Sequence, residues 1–346
     1  MVIINARFLT QKITGVQRYA IEISKQLPEF IGKEKVVFVA PKSPLINADE
    51  LIDKEVIQFG AFKGNLWEQV DLFLFLKKNK KSILINFSGI SPVFLKRKIM
   101  YLHDLAFKHY PKSFSYAFAK AYNLLIPIAV KNAKNIITVS NYVRKDIQNH
   151  LKTKKIDVVY ASHSNFFKLL NKKREKIILS VSSIDPRKNI NRVIEAFNKI
   201  DSDYTLVFVG AESKSFSSVK VSSSKKVIFT GYINDQELLS LYNKASIFIY
   251  ASLFEGFGIP PLEAQACGCP CIVSNKSSLP EVYGDSVIYC DPYSVDAIKE
   301  KLNFLIKNKK ERELLAMKGF ENVKCYSWDT SAKKLITIIE SNFYFD

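Results

Sequence analysis

The stretch ASIFIYASLFEGFGIPPLE, residues 245–263, indicates a buried strand that leads through a glycine-rich turn into a helix. The run 245–253 is apolar, as in a strand covered on both faces. The Gly-Phe-Gly turn leaves backbone amides available, the two prolines suit the first turn of a helix, and Gly268 is a stop signal. Such a junction offers amides and a positive dipole end to an anion. Glu255 and Glu263, eight positions apart, add two fixed carboxylates for hydroxyl groups.

The same strand–helix alternation extends along the whole chain and predicts an α/β fold of doubly wound, mostly parallel sheets. The predicted strands are 2–4, 36–39, 83–85, 99–102, 136–139 and 158–160, then 177–181, 205–209, 227–230, 247–250, 271–273 and 287–289. The predicted helices include 16–27, 114–131, 190–199, 235–243 and 295–307.

The length of 346 residues and the two strand series predict two domains. A polar, lysine-rich linker at 162–175 separates the series, which gives domains at 1–165 and 166–327. We expect two Rossmann-like domains that face each other across a cleft.

Polar residues follow several predicted strands at the carboxyl ends, where parallel sheets bind ligands. Gly15 precedes a helix, so its amide can approach a phosphate. His103 follows the strand at 99–102. Arg187 and Lys188 open a helix, where two cations and the helix dipole act on one anion. Taken singly, these residues are equally consistent with ordinary helix starts or a structural histidine.

The net charge of +18 is concentrated in the first half, where residues 1–165 carry 26 Lys/Arg against 12 Asp/Glu. This excess suits an anionic membrane surface, phosphorylated substrates or nucleic acid, but plain solvated lysine explains it as well. No apolar stretch approaches the 20 residues of a membrane span, and the start resembles a first strand rather than a signal peptide. Cys267, Cys269 and Cys271 lack metal-site spacing and favour reduced structural thiols in a cytosolic protein.

The motifs together resemble the retaining glycosyltransferases of family 4. They occur in the family's order at 14–19, 103–104, 138–140, 185–189, 231, 255–263 and 279–281. Leu66-Trp67-Glu68-Gln69 and Tyr326-Ser327-Trp328 resemble a branch, rich in mannosyltransferases, that builds bacterial surface polysaccharides.

This resemblance implies the GT-B fold, in which a last helix, here 328–346, returns to the N-terminal, acceptor-binding domain. The implied reaction moves a hexose, with mannose favoured, from a nucleotide-diphosphate sugar such as GDP-mannose to a lipid-linked saccharide. O-antigen or capsule-type polysaccharide is the implied product, made at the inner face of the cytoplasmic membrane by a peripheral protein. We then expect the protein to contact an anionic membrane surface, to bind no nucleic acid and to need no cofactor.

The resemblance also implies roles for individual residues. Glu255 and His103 hold the donor sugar, Glu263 binds the ribose, and configuration is retained without an assigned base. The implied catalytic residues are Glu255 and His103, and the implied donor-binding residues are Gly15, Arg187, Lys188, Gly231, Phe257, Gly258 and Glu263.

Two features depart from this pattern or compete with it. Ser182-Ser183 stands where the family commonly has Gly-Arg, so Arg187 must compensate or donor affinity is lower. Asp201-Ser202-Asp203 resembles a metal-binding D-x-D, but it precedes a strand and favours a turn. We therefore expect a metal-independent enzyme. The alternatives are a glycan phosphorylase or sucrose-synthase-like enzyme of related fold, and a non-catalytic basic protein that binds nucleic acid or lipid.

Overall fold

The computed structural model describes residues 1–51, 55–170, 172–210 and 227–343. It divides into two compact units. Unit 1 comprises Met1–Ala161 and Ser327–Asp346, and unit 2 comprises Ser162–Tyr326. The first boundary lies four residues before the predicted one at 165, and the second lies one residue before the predicted end at 327.

Unit 1 contains a seven-stranded sheet in the order β3-β2-β1-β4-β5-β6-β7. All neighbouring strands are parallel, so the predicted doubly wound sheet is confirmed. Strands β2 and β3 are added on one side of β1, and strands β5, β6 and β7 are added on the other side, beyond β4. Its strands are β1 Val2–Asn5, β2 Val36–Pro41, β3 Val56–Phe59, β4 Ile83–Asn86, β5 Lys98–Tyr101, β6 Asn135–Thr138 and β7 Ile156–Val158. Its first helices are α1 Gly15–Ile31, α2 Gly64–Trp67, α3 Phe73–Lys78, α4 Ala106–His109, α5 Tyr116–Asn132 and α6 Asn141–Leu151, and a π-helical turn at Glu68–Leu72 joins α2 to α3.

Unit 2 contains a six-stranded parallel sheet in the order β10-β9-β8-β11-β12-β13. Here the direction of building reverses between β8 and β11. Its strands are β8 Glu175–Val181, β9 Thr205–Val209, β10 Val227–Phe229, β11 Ala245–Tyr250, β12 Cys271–Ser274 and β13 Ile288–Cys290. Its helices are α7 Ile190–Asn198, α8 Asp235–Lys244, α9 Ile259–Ala266, α10 Leu279–Tyr283, α11 Val295–Lys307 and α12 Lys309–Val323.

The last helix, α13 (Trp328–Asn342), belongs to unit 1, as predicted. Ser327 caps it by accepting a hydrogen bond from the amide of Thr330. The helix packs against α1, where the rings of Trp328 and Tyr19 meet edge to face at 5.2 Å. Ser331 donates to the carbonyl of Tyr160 over 2.7 Å. The chain therefore leaves unit 1 after 161 and re-enters it at 327.

Three local predictions differ from the structure. Strand β3 was missed, because Val56–Phe59 is short and partly exposed and carries no continuous apolar signal. The last strand of unit 1 was predicted at 158–160, but β7 ends at Val158. The helix predicted at 114–131 is α5, which begins at Tyr116 and ends at Asn132; it is half buried, with Tyr116 and Leu124 exposed. In the described part of the chain, no helix is long and apolar enough to span a membrane.

Candidate functional site

The loops that follow β8 and β11 meet at the carboxyl end of the unit 2 sheet. The Leu253 amide donates to the carbonyl of Arg187 over 2.7 Å. The buried side chain of Asn189 donates to the carbonyl of Ala251 over 3.0 Å. Strands β8 and β11 are neighbours, and successive strands are added on opposite sides of them. This position is the switch point of the sheet, where ligands of open α/β sheets bind.

A lysine–glutamate pair lies at this switch point. Lys188 Nζ is 2.5 Å from Glu255 Oε1 and 3.2 Å from the hydroxyl of Tyr250, and it lies 5.4 Å from the centre of the Tyr250 ring. Burial alone would raise the pKa of Glu255. The Lys188 ammonium and hydrogen bonds from Lys188, Ser252 and Tyr250 outweigh burial and lower that pKa. Glu255 is therefore a carboxylate at neutral pH, and Lys188 is held beside it.

Arg187 also has an acidic neighbour, which the sequence analysis did not anticipate. Its Nη2 lies 2.8 Å from Asp185 Oδ2, and its amide donates to Asp185 Oδ1 over 2.8 Å. The two cations predicted to bind one anion are thus each paired with a carboxylate. Ser183, where the family arginine is missing, is exposed and lies 3.4 Å from the same Asp185 carboxylate.

The loop from Glu255 to Gly258 is held by residues outside the predicted motif. The amide of Glu255 donates to the hydroxyl of Ser277 over 3.0 Å, and Ser278 donates to the carbonyl of Glu255 over 3.0 Å. The hydroxyl of Tyr283 donates to the carbonyl of Gly258. Gly258 has a φ of 90°, and a Cβ there would lie 2.7 Å from Leu279, so the turn requires glycine.

Glu263 lies within α9, one turn after the prolines, as the sequence predicts. Its Oε2 accepts a hydrogen bond from the buried hydroxyl of Tyr242 over 2.8 Å, a contact that fixes the carboxylate. Burial raises the pKa of Tyr242 well above its usual value, and the nearby Glu263 charge raises it further, so the tyrosine remains a donor. The amides of Gly268 and Cys269 return to α9 and close its end in a Schellman motif.

The remaining predicted residues of unit 2 are Phe257 and Gly231. Phe257 is buried, with its ring edge-to-face against Tyr326 at 5.5 Å. Gly231 follows β10 with a φ of 70°, and its carbonyl accepts from the amide of Gly210 over 3.0 Å. Gly231 therefore lies at the same carboxyl edge of the sheet, two strands from β8.

His103 and Gly15, both predicted site residues, belong to unit 1. His103 Nε2 is 2.7 Å from the carbonyl of Phe87, so that nitrogen carries the proton and donates. Burial lowers the pKa of His103, against smaller opposing effects from this hydrogen bond and from Asp104. The ring is therefore neutral at pH 7, and its Nδ1 is an acceptor. Gly15 is the exposed first residue of α1, and a Cβ there would meet no atom of the described residues within 4 Å. Packing within unit 1 does not require glycine at position 15.

Two family profiles together match residues 13–321: Glycosyltransferase Family 4 at 13–162 and Glycosyl transferases group 1 at 161–321. This chain belongs to the family 4 glycosyltransferases. It is 28% identical over 265 residues to O-antigen chain mannosyltransferase B of Escherichia coli, with 70% of each chain covered. It is also 28% identical over 315 residues to O-antigen chain mannosyltransferase RfbU of Salmonella typhimurium, covering 84% of this chain and 86% of the relative.

The solved structure of Anabaena Alr3699/HepE in complex with UDP and glucose has the same fold. Its TM-score is 0.78 at 15% identity, with 98% of this chain and 99% of that chain covered. The predicted GT-B fold is confirmed. Family membership favours the glycosyltransferase prediction over the non-catalytic alternative.

The glycosyltransferase also carries a buried polar network that the sequence analysis missed, at the switch point of unit 1. Glu68 Oε1 accepts from Arg7 Nε over 2.8 Å and from Asn5 over 2.9 Å, and Asn5 donates to Asn86 over 2.5 Å. Asn5 and Asn86 end β1 and β4, between which the direction of building reverses. Burial raises the pKa of Glu68, although Arg7 opposes the shift. The only sequence signal was the Leu-Trp-Glu-Gln motif, in which Glu68 stands.

Two sequence motifs of the glycosyltransferase that could have indicated metal binding have structural explanations. Cys267, Cys269 and Cys271 are buried, and burial raises the pKa of the first two thiols to about 12. They are unreactive packing residues, as predicted. In Asp201-Ser202-Asp203, Asp203 is an exposed turn residue before β9 that pairs with Lys176. It lies at the amino edge of the sheet, opposite the edge that carries Lys188 and Glu255.

Proposed function

We propose that this glycosyltransferase moves mannose from GDP-mannose to a lipid-linked saccharide, with retained configuration, in surface-polysaccharide synthesis. The observation that carries the proposal is the Lys188–Glu255 pair at the switch point of unit 2. The choice of mannose is supported by the names of the two curated relatives, both O-antigen mannosyltransferases.

Lys188 and Arg187 are proposed to stabilise the diphosphate as it leaves the anomeric carbon. Positive charges fixed where negative charge develops are the largest common source of catalysis. Each cation is already paired with a carboxylate, which fixes its side chain before the donor binds. Donor binding therefore does not have to order either side chain. The lowered pKa of Glu255 keeps that carboxylate available to accept from sugar hydroxyls while it positions Lys188. The amides of Phe257 and Gly258 are proposed to hold the same sugar.

Glu263 is proposed to bind the ribose hydroxyls of the nucleotide. A carboxylate accepts two such hydroxyls, and Tyr242 fixes the orientation of this one. Gly231 is proposed as a further donor contact at the same edge of the sheet.

In unit 1, His103 and Gly15 are proposed as donor contacts. The neutral His103 ring has an acceptor at Nδ1, which suits a sugar hydroxyl. The absence of any packing reason for glycine at position 15 supports close approach of a ligand to its backbone.

Retention is proposed to occur by front-face attack. The departing phosphate oxygen takes the proton of the acceptor hydroxyl as that hydroxyl bonds to the anomeric carbon on the same face. No base from the protein is required. The diphosphate charge is met by Arg187, Lys188 and helix amides, so the transfer is proposed to need no metal ion.

The first experiment is calorimetric titration with GDP, UDP, dTDP and ADP in the presence of EDTA. We expect GDP to bind most tightly, and Tyr242→Phe to weaken it about tenfold because one charge-assisted hydrogen bond to Glu263 is lost. Glu300→Gln, which changes an exposed glutamate of α11, is the matched control and should bind as the wild type does. Tightest binding of another nucleotide would refute GDP-mannose as the donor.

The second experiment follows transfer to a lipid-linked saccharide in vesicles, with product configuration read by NMR. An inverted product would contradict front-face retention, and loss of activity in EDTA that Mg²⁺ restores would contradict metal independence. Sugar 1-phosphate released from a glycan by inorganic phosphate would instead identify a phosphorylase, and transfer to free fructose would identify a sucrose-synthase-like enzyme.

The place of action is proposed to be the inner face of the cytoplasmic membrane, with the lysine-rich first half of the chain against anionic lipid. Sedimentation with vesicles of phosphatidylglycerol and of phosphatidylcholine tests this. We expect binding to the anionic vesicles alone, with release by salt. Equal sedimentation with both kinds of vesicle would contradict an electrostatic surface.

A further inference from the structure

Two histidines of unit 1 converge on one aspartate at the surface. His109 ends α4, and Asp146 and His150 lie four residues apart on one face of α6. His109 Nε2 is 3.0 Å from Asp146 Oδ1 and 2.9 Å from Oδ2. His150 Nδ1 is 3.0 Å from Asp146 Oδ1. The chain has four histidines, so half of them meet at this cluster.

The spacing of these ligand atoms fits a single metal ion. One nitrogen from each histidine and one carboxylate oxygen all lie within 4.8 Å of one another. Zinc bonds to nitrogen and oxygen are about 2.0–2.2 Å long, so tetrahedral ligand atoms are about 3.3–3.5 Å apart. The observed contacts of 2.9–3.0 Å to Asp146 need to expand by only a few tenths of an ångström.

The orientation of the imidazole rings agrees with the same geometry. Two imidazoles on one tetrahedral ion place their ring centres about 5 Å apart, by those bond lengths. The centres of His109 and His150 are 5.2 Å apart, and the ring planes are perpendicular.

We propose that His109, Asp146 and His150 form a binding site for a divalent transition-metal ion of the Zn²⁺ class. Two imidazole nitrogens and one carboxylate oxygen suit Zn²⁺, Co²⁺, Ni²⁺ or Cu²⁺, whereas Mg²⁺ and Ca²⁺ prefer all-oxygen sites. His109 binds through Nε2 and His150 through Nδ1. The second nitrogen of each ring then carries the proton. Three protein ligands leave further positions for water.

The ion would fasten α4 to α6. Helix α4 begins just after His103-Asp104, and Asp104 Oδ1 accepts from the amide of Ala106 at the start of this helix. Phe107, within α4, is buried against Tyr122 of α5. Metal binding therefore stabilises the segment that carries His103. The inference does not rest on the proposed function, because none of His109, Asp146 and His150 is among the proposed donor contacts.

A simpler arrangement must be distinguished from a metal site. The Asp146 carboxylate accepts a hydrogen bond from His109 Nε2 and lies 3.0 Å from His150 Nδ1, which also lies 2.9 Å from the main-chain oxygen of Asp146. A hydrogen-bonded trio of this kind holds α4 to α6 without metal. The two arrangements differ in whether added Co²⁺ or Zn²⁺ binds at these residues.

The test uses the full chain without a histidine tag, treated with chelator and then dialysed. Co²⁺ is titrated while its visible absorption is recorded, and Zn²⁺ is titrated by calorimetry. We expect one equivalent to bind, and Mg²⁺ not to compete. His109→Ala, Asp146→Asn and His150→Ala should each weaken metal binding more than about tenfold. Mutation of a residue that only hydrogen-bonds to a metal ligand already lowers metal affinity by about tenfold or more. His163→Ala and Cys325→Ser are matched controls and should bind as the wild type does.

Two readouts guard against variants that misfold. Zn²⁺ should raise the unfolding temperature of the wild type and of His163→Ala by several degrees, and leave that of His109→Ala unchanged. In the wild type, Zn²⁺ should shift the imidazole NMR signals of His109 and His150 but not that of His163. Failure of the wild type to bind Co²⁺ or Zn²⁺, shifts confined to other histidines, or full binding by the double variant His109→Ala/His150→Ala would overturn the proposal.

Discussion

The Lys188–Glu255 pair allows a quantitative test, because both charges are mostly withdrawn from water. Their side chains are 13% and 11% exposed, and Nζ and Oε1 are 2.5 Å apart. Removing one partner from a fully buried pair costs about 3–5 kcal/mol, since the other charge is left uncompensated. The slight exposure here lowers that figure to about 2–3 kcal/mol of unfolding free energy for Lys188→Met or Glu255→Gln.

The double variant separates the pairing from the other contacts of each side chain. Once one charge is absent, removing the second relieves the uncompensated charge. Lys188→Met/Glu255→Gln should therefore be less destabilised than the sum of the two single variants by about 2 kcal/mol. The measurement is urea unfolding of all four proteins at pH 7, with the m-value unchanged as the check that only stability differs. A coupling free energy below about 0.5 kcal/mol would refute the argument, since solvent-screened surface pairs give values of that size.

The same variants distinguish stability from catalysis. Glu255→Gln keeps the shape of the side chain but removes the charge that positions Lys188 and accepts from the sugar. We expect kcat to fall about 10²- to 10³-fold, the usual effect of losing one preorganised electrostatic contact. The assay is run at a temperature where the variant is folded by circular dichroism. Normal kcat in a folded Glu255→Gln variant would remove Glu255 from the catalytic residues.

Gly15→Ala should leave the unfolding temperature unchanged or slightly higher, because the new Cβ meets open space among the described residues. Donor affinity, measured by calorimetry, should fall in this variant, and unchanged affinity would argue against a phosphate at the Gly15 amide. Gly258→Ala, by contrast, should lose about 1–3 kcal/mol of stability from its φ of 90° and the contact with Leu279, and a stable variant would contradict the observed turn. Burial lowers the pKa of Lys98 to about 7, below its unfolded value, so its folded state binds fewer protons above pH 7. Wild-type stability relative to Lys98→Met should then be constant below pH 7 and rise by up to about 1.4 kcal/mol per pH unit above it, until the unfolded lysine titrates; a difference that is flat between pH 7 and 9 in urea unfolding would contradict this. A thiol reagent should label one cysteine of the native protein, Cys325, because the other four are buried, and mass spectrometry of labelled peptides would show any other site.

The sequence predicted those features that depend on neighbours along the chain. The junction at 245–263 combines an apolar strand, a glycine turn and helix-starting prolines within one segment, and strand β11 and helix α9 lie where this pattern puts them. Strand β7 was displaced because Val159 and Tyr160 are as apolar as the strand. The last residue of β7 that pairs with β6 is Val158, and the amide of the next residue, Val159, still donates to the carbonyl of Thr138. The apolar run therefore continues past the end of the strand.

Contacts between distant segments had no comparable signal. Lys188 and Glu255 were predicted separately, but their pairing across 67 positions depends on β8 lying next to β11. The hydrogen bond from Tyr242 to Glu263 arises in the same way, from helices on one face of the sheet. The cluster of His109 with Asp146 joins residues 37 positions apart, and no spacing rule links them.

The path of the chain between the units sets an order of events during synthesis. Ser162 and Tyr326 bound unit 2, and the Ser162 hydroxyl donates to the Tyr326 carbonyl over 3.0 Å, so the ends of this unit lie side by side. All of unit 2 leaves the ribosome before α13 does. At about 5–20 residues per second, roughly 165 residues delay α13 by about 10–30 s. During that interval unit 1 has its whole sheet but leaves the Tyr19 face of α1 uncovered. A nascent chain stalled just before 327 should therefore engage chaperones through this helix, although every strand that the structure describes has already been made.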